Sequence, residues 1–92
     1  MSDLSAVLTD AHEWLAAQPT PSRGSATWTG FNNLRTFLAL IEQDSSRRGL
    51  ERACLGLGWH ISDQYGAYDE LPVIASFKER VRRIARAMPE DV

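Results

Sequence analysis

From residue 74 to residue 88 the large apolar side chains Ile74, Phe77, Val81, Ile84 and Met88 return at steps of three, four, three and four. A strand cannot use that spacing, because successive side chains leave it on opposite faces. A helix gathers all five onto one stripe. The flanks agree: Asp69 is placed to cap the start, Pro72 is tolerated in a first turn, and Pro89 stops the element. A helix over about 70–88 is therefore expected, and a chain built around such a stripe must bury it against other elements.

The rest of the chain supplies them in the same currency. Leu4, Val7, Leu8, Ala11 and Leu15 predict a helix over about 3–17, with Ser2 or Asp3 as its cap. Phe31, Leu34, Phe37, Leu38 and Ile41 predict a second over about 28–44, opening near Thr27 or Thr29, with Trp28 and Leu40 outside the main stripe. Ser45 and Ser46 interrupt the pattern and can cap the next element. Between the first two helices lies Q-P-T-P-S-R-G-S, residues 18–25, where Pro19, Pro21 and Gly24 exclude regular helix. It is a loop rather than a domain boundary, since the piece before it is too short to fold alone. With 92 residues, the chain makes one domain; half of it would fall near the roughly 40 residues below which folding usually needs staples.

The stretch L-G-L-G-W-H-I-S-D-Q-Y-G, residues 55–66, is where helix and binding loop compete. Leu50, Cys54, Leu57, Ile61, Tyr65 and Tyr68 share one sector of a helical wheel, a regularity that runs through the glycines. A helix over about 47–65 follows, with Gly66 as its left-handed stop. A phosphate loop fits poorly: a third glycine and a lysine are missing, and no strand precedes. Gly58 at the edge of the stripe points to close approach by a neighbouring helix; Gly56 has no evident packing reason. Four helices without β alternation predict an all-α, four-helix bundle-like domain.

The same wheel leaves residues over. Leu55 and Trp59 project away from the stripe with Ser62 beside them, and His60 and Asp63 occupy a third sector. Either a second layer of this chain covers Trp59, or a partner does; tryptophan is over-represented among residues that carry binding energy. Leu55, Trp59, Ser62 and Asp63, extended by the acids Asp69 and Glu70, form the expected partner-binding surface. Trp14 and Trp28 lie beside core stripes and are expected at the core edge.

Chemistry is hard to assemble from these residues. Cys54 and His60 fall in different sectors of one helix, so no nucleophile–base pair forms there; Cys54 is expected to be an inert core residue. His12 and Glu13, adjacent on a helix, diverge. His60 and Asp63 could touch but supply two ligands where zinc needs three or four, and neither C-x-x-C nor H-E-x-x-H occurs. A small enzyme or metal site around His60 and Asp63 is the third-ranked reading; no cofactor or catalytic residue is assigned. Asp69 and Glu70 fit helix-start acids.

Charge is segregated. Residues 1–22 hold Asp3, Asp10 and Glu13 and no base, and residues 53–71 hold Asp63, Asp69 and Glu70 alone. Residues 72–88 set Lys78, Arg80, Arg82, Arg83 and Arg86 against Glu79. Lys78, Arg82 and Arg86, with Arg83 beside them, form a stripe that could follow a phosphate backbone. The competing account is a solvated face, with Glu79 pairing Arg83 and the acidic segments answering the rest. A pI near 5.6 is unlike basic DNA-binding domains, so a helical nucleic-acid regulator is the runner-up.

The one cysteine fits a reducing compartment. No apolar run approaches the roughly 18 residues of a membrane span, and the N-terminus lacks the features of a signal peptide, so a cytoplasmic protein is expected. The sequence reading is a non-catalytic module that occludes another protein, with the acidic 63–70 surface steering a basic target and homodimerisation as a further option. Immunity proteins, antitoxins and phage inhibitors share this size and character, which is analogy and not motif resemblance.

Overall fold

The computed structural model describes residues 3–63 and 70–89, and the side chains of 3–58 and 70–89 among them. They form four helices: α1 (Asp3–Ala17), α2 (Ala26–Gln43), α3 (Arg47–Asp63) and α4 (Leu71–Ala87). No strand occurs among the described residues, and the domain is an all-α bundle. No described helix is long and apolar enough to cross a membrane.

The described members of the stripes read from the sequence line the core, with Leu4, Leu8, Ile84 and Met88 partly buried at its edge, while Ile61, Tyr65 and Tyr68 lie outside the residues whose side chains are described. Leu34, Leu38 and Ile41 of α2, Leu50 of α3, and Ile74 and Val81 of α4 are fully enclosed, with Val7 and Ala11 of α1 closing the far side. α3 packs against both α2 and α4, and α1 rests on α4. Trp14 is half-buried against this core. Its indole meets Phe31 edge-on at 5.5 Å and Phe77 at 6.0 Å, so one aromatic fastens α1 to both α2 and α4.

The caps explain where the boundaries shift. α2 opens at Ala26, earlier than the expected Thr27 or Thr29, because Ser25 Oγ accepts the Trp28 N–H at 3.1 Å. Gly24, at φ +82°, turns the loop into that cap. At the next junction Ser46 Oγ accepts the Gly49 N–H at 3.1 Å, while the Asp44 carboxylate accepts from the Ser46 N–H at 3.1 Å and its hydroxyl at 2.6 Å. These bonds hold the Asp44 carboxyl below its ordinary pKa, the Ser46 side-chain bond being the main cause. A Cβ on Gly49 would overlap the Asp44 carbonyl oxygen and carboxyl group. Glycine is therefore required there, which periodicity alone does not reveal.

Glu70 occupies the cap position of α4 but makes no side-chain cap bond, and Pro72 sits in the first turn. The expected Asp69 cap, the continuation of α3 to residue 65 and the Gly66 stop lie outside the described residues. The C-terminal end of α4 is tied to the start of α3 by Arg47 Nη1, which donates to the Met88 carbonyl at 3.0 Å.

Candidate functional site

The open side of α3 is the unusual surface. Leu50, Ala53, Cys54 and Leu57 are buried, whereas Leu55, on the other side of the same turns, is 66% exposed. It is the most exposed large hydrophobic residue among those described; Leu40 and Val73 follow at 44% and 37%. Trp59 and Ser62 follow Leu55 in α3 at one- and two-turn spacing. Their side chains, and those of His60 and Asp63, lie outside the described residues, as does Asp69.

Glu70 belongs to a different surface. It is half-buried and accepts a hydrogen bond from the Thr27 hydroxyl at 3.2 Å. With Pro19, Pro21, Ser25, Thr27 and Phe31 it lines an open cleft of about 350 Å³ where the proline loop meets α2. Of the expected acidic corner, the described part is thus engaged within the fold and does not border Leu55.

Across the α3–α4 contact from this flank of α3 lies Lys78, the first cation of α4's basic stripe. The α3–α4 contact runs through Cys54, whose Sγ donates to the Lys78 carbonyl at 3.7 Å. Lys78 Nζ and Cε would lie 3.5 and 3.6 Å from a Cβ on Gly58. These are ordinary contacts with the end of a flexible side chain, so the close helix approach expected at Gly58 is not what the glycine provides. A Cβ on Gly56 would meet open space. Lys78, Arg82, Glu79 and Glu51 all exert a field at the Cys54 thiol, which places them around the same seam. At ~100° per residue, Leu55 falls ~60° from Gly58 on the α3 wheel, and Arg82 and Arg86 follow Lys78 at ~40° steps on α4.

The cations of α4 are unevenly answered. Arg80 reaches away to Asp10 of α1 at 3.0 Å. Glu79 alone serves Arg82 at 3.3 Å and Arg83 at 3.6 Å. Lys78 and Arg86 have no ion-pair partner among the described residues. On α3, Arg47 is held by Glu51 at 3.1 Å. The Glu79–Arg83 pair expected from spacing is present, and Arg80–Asp10 is a pairing with the acidic first helix of the kind the charge pattern suggested.

The nucleophile candidate is quiescent. Cys54 is 5% exposed, and burial pushes its thiol up to about 11 against the partial relief offered by Lys78 and Arg82. The His12 ring nitrogen lies 3.0 Å from a Glu42 carboxylate oxygen, an exposed contact joining α1 to α2. No group of three or more His, Cys, Asp or Glu side chains among the described residues could hold a metal ion. The buried Asn33 amide nitrogen finds no acceptor among them. Trp14 lies at the core edge as expected, and Trp28 is half-buried.

No protein-family model matches the chain, and no curated protein or solved structure is significantly similar to it.

Proposed function

We propose that this chain is a small non-catalytic binding module that acts by covering a surface of another protein, in the manner of a stoichiometric inhibitor or adaptor working in the cytoplasm. The observation that carries this reading is the exposure of Leu55 in the middle of α3, on a helix whose other side already fills the core. An isolated surface leucine needs no explanation. Here, however, the next turn of the same helix supplies Trp59, and large apolar residues one turn apart on a helix are the usual anchors of helix-mediated recognition. The buried, weakly acidic Cys54 supports a structural rather than nucleophilic role for the one thiol.

The experiment compares wild type with Leu55→Asp and Trp59→Ala by thermal melting, sedimentation velocity and capture from source-cell extract. A partner or second copy bound by wild type should be lost in both variants. Leu55→Asp should change stability by no more than about 0.5 kcal/mol, as for a surface site. Trp59→Ala should cost less than the roughly 3–5 kcal/mol of a truncated core aromatic. A Trp59→Ala variant that unfolds while the survivors keep their partner would place Trp59 in the core, and partner binding unchanged in both variants would remove the proposal.

A further inference from the structure

Resting on that reading, we infer that the partner presents an acidic amphipathic helix, which docks along the α3–α4 seam with an apolar residue against Leu55 and carboxylates toward Lys78, Arg82 and Arg86. The sequence alone favours a basic target, because the acids of 63–70 stand closest to Trp59 in the chain. The fold changes the neighbourhood. It brings the end of Lys78 to Gly58, ~60° from Leu55 on the α3 wheel, across the Cys54–Lys78 contact, and it engages Glu70 with Thr27 on another surface.

Charge complementarity selects the occupant. Within α4, Lys78, Arg82, Arg83 and Arg86 share one carboxylate, Glu79, and the Glu51 carboxylate across the seam is held by Arg47. Two of those cations, Lys78 and Arg86, have no ion-pair partner among the described residues. A basic helix laid here would set like charges against each other, a juxtaposition that strongly disfavours binding, whereas an acidic one gains both association rate and register. The apolar component distinguishes a protein helix from a nucleic-acid backbone. Phosphate recognition needs the cations but has no use for a leucine exposed to two-thirds of its surface. The shape suits a helix as well: Gly58 is roofed only by the end of Lys78 and Gly56 faces open space, so a partner's side chains meet no Cβ on either side of Leu55.

The test uses the full chain and two labelled helical peptides of about three heptads, identical leucines on one face, with glutamate on the other face in one peptide and lysine in the second. Fluorescence anisotropy at low and high salt is read beside a random-sequence DNA duplex, and sedimentation velocity reports the chain alone. The glutamate peptide should bind at least about tenfold more tightly than the lysine peptide at low salt. Leu55→Asp, and separately Lys78→Glu with Arg82→Glu, should each weaken it by about tenfold or more. Arg35→Glu on the exposed part of α2 should stay within about twofold, its charge lying outside the seam.

Equal, Leu55-dependent binding of both peptides overturns the acidic partner and leaves the binding-module reading standing. Binding of duplex DNA alone, falling steeply with salt, overturns both. Self-association dissolved by Leu55→Asp makes a second copy the occupant and overturns this inference. So does a chain that binds neither peptide.

Discussion

Gly49 is the position where local propensity and tertiary structure pull hardest against each other. It lies in the first turn of α3, where replacing glycine by alanine ordinarily gains about 1 kcal/mol of helix propensity. In this fold the added methyl would overlap the Asp44 carbonyl oxygen and its carboxyl group. The obstacle is partly backbone, so no rotamer change clears it, and the cost belongs near the top of the roughly 1–3 kcal/mol range for overpacking. Moving the α2–α3 turn aside also endangers the Ser46 cap on Gly49, worth about 1 kcal/mol. Against the propensity gain, Gly49→Ala should lose a net 2–3 kcal/mol or so, and for a domain of this size the melting temperature should fall by roughly 10–20 °C.

Gly56→Ala is the matched control. It lies in the same helix with open space where its Cβ would go. The same methyl should therefore stabilise by about 0.5–1 kcal/mol. Urea unfolding followed by circular dichroism, with both variants beside wild type, reads the two signs in one experiment. If Gly49→Ala is as stable as wild type or more so, the turn yields cheaply and the account of the α2–α3 junction is wrong.

Trp14→Ala should cost about 2–4 kcal/mol by removing the ring that meets Phe31 and Phe77, while Trp14→Phe should cost under about 1.5 kcal/mol; equal losses would mean that the ring contacts contribute little. The folded-state pKa of Asp44 is depressed, so its contribution to stability is present above the ordinary value of 3.8 and is lost as pH falls below it. An acid titration of stability should be shallower in Asp44→Asn, and an unchanged slope would contradict the role of the Ser46 bonds. The Cys54 thiol has the opposite sign: its folded pKa is raised from 9.0 to about 11, so its contribution is intact below pH 9 and lost as pH rises toward 11. Native protein should accordingly react with a thiol reagent at neutral pH only as fast as it unfolds; rapid labelling in the folded state would refute its burial.

Most of the fold could be read from the spacing of apolar residues, because a helix that must bury one stripe advertises that stripe at three- and four-residue steps. The boundaries were less legible where a cap lay upstream of the first periodic residue. Ser25 captures Trp28 and starts α2 inside what looks like the end of the proline loop. Gly49 was invisible for a related reason: its constraint comes from Asp44, five residues earlier, through a turn whose shape no periodicity encodes. The pattern D-S-S-x-x-G at 44–49, an acid and a serine ahead of an early-helix glycine, is the signal that could have drawn attention to it.

The candidate surface was legible as two separate halves. One wheel singled out Leu55 and another aligned Lys78, Arg82 and Arg86, and nothing within either helix says that these flanks are neighbours. That depends on the order in which stripes pair. Here α3 sits between α2 and α4, and the Lys78 contacts with Cys54 and Gly58 set which flank of α4 meets α3. Pairing order also redistributes charge. α1 packs on α4, and of its acids Asp10 pairs with Arg80. The chain's formal charge of −2 therefore misleads about its surface. Within α4, four cations share one carboxylate, Glu79, among the described residues. Surface ion pairs are worth little individually, so this arrangement adds little to folding. Its physical consequence is directional: a field of one sign next to an apolar anchor discriminates among partners by their charge before contact and by their shape after it.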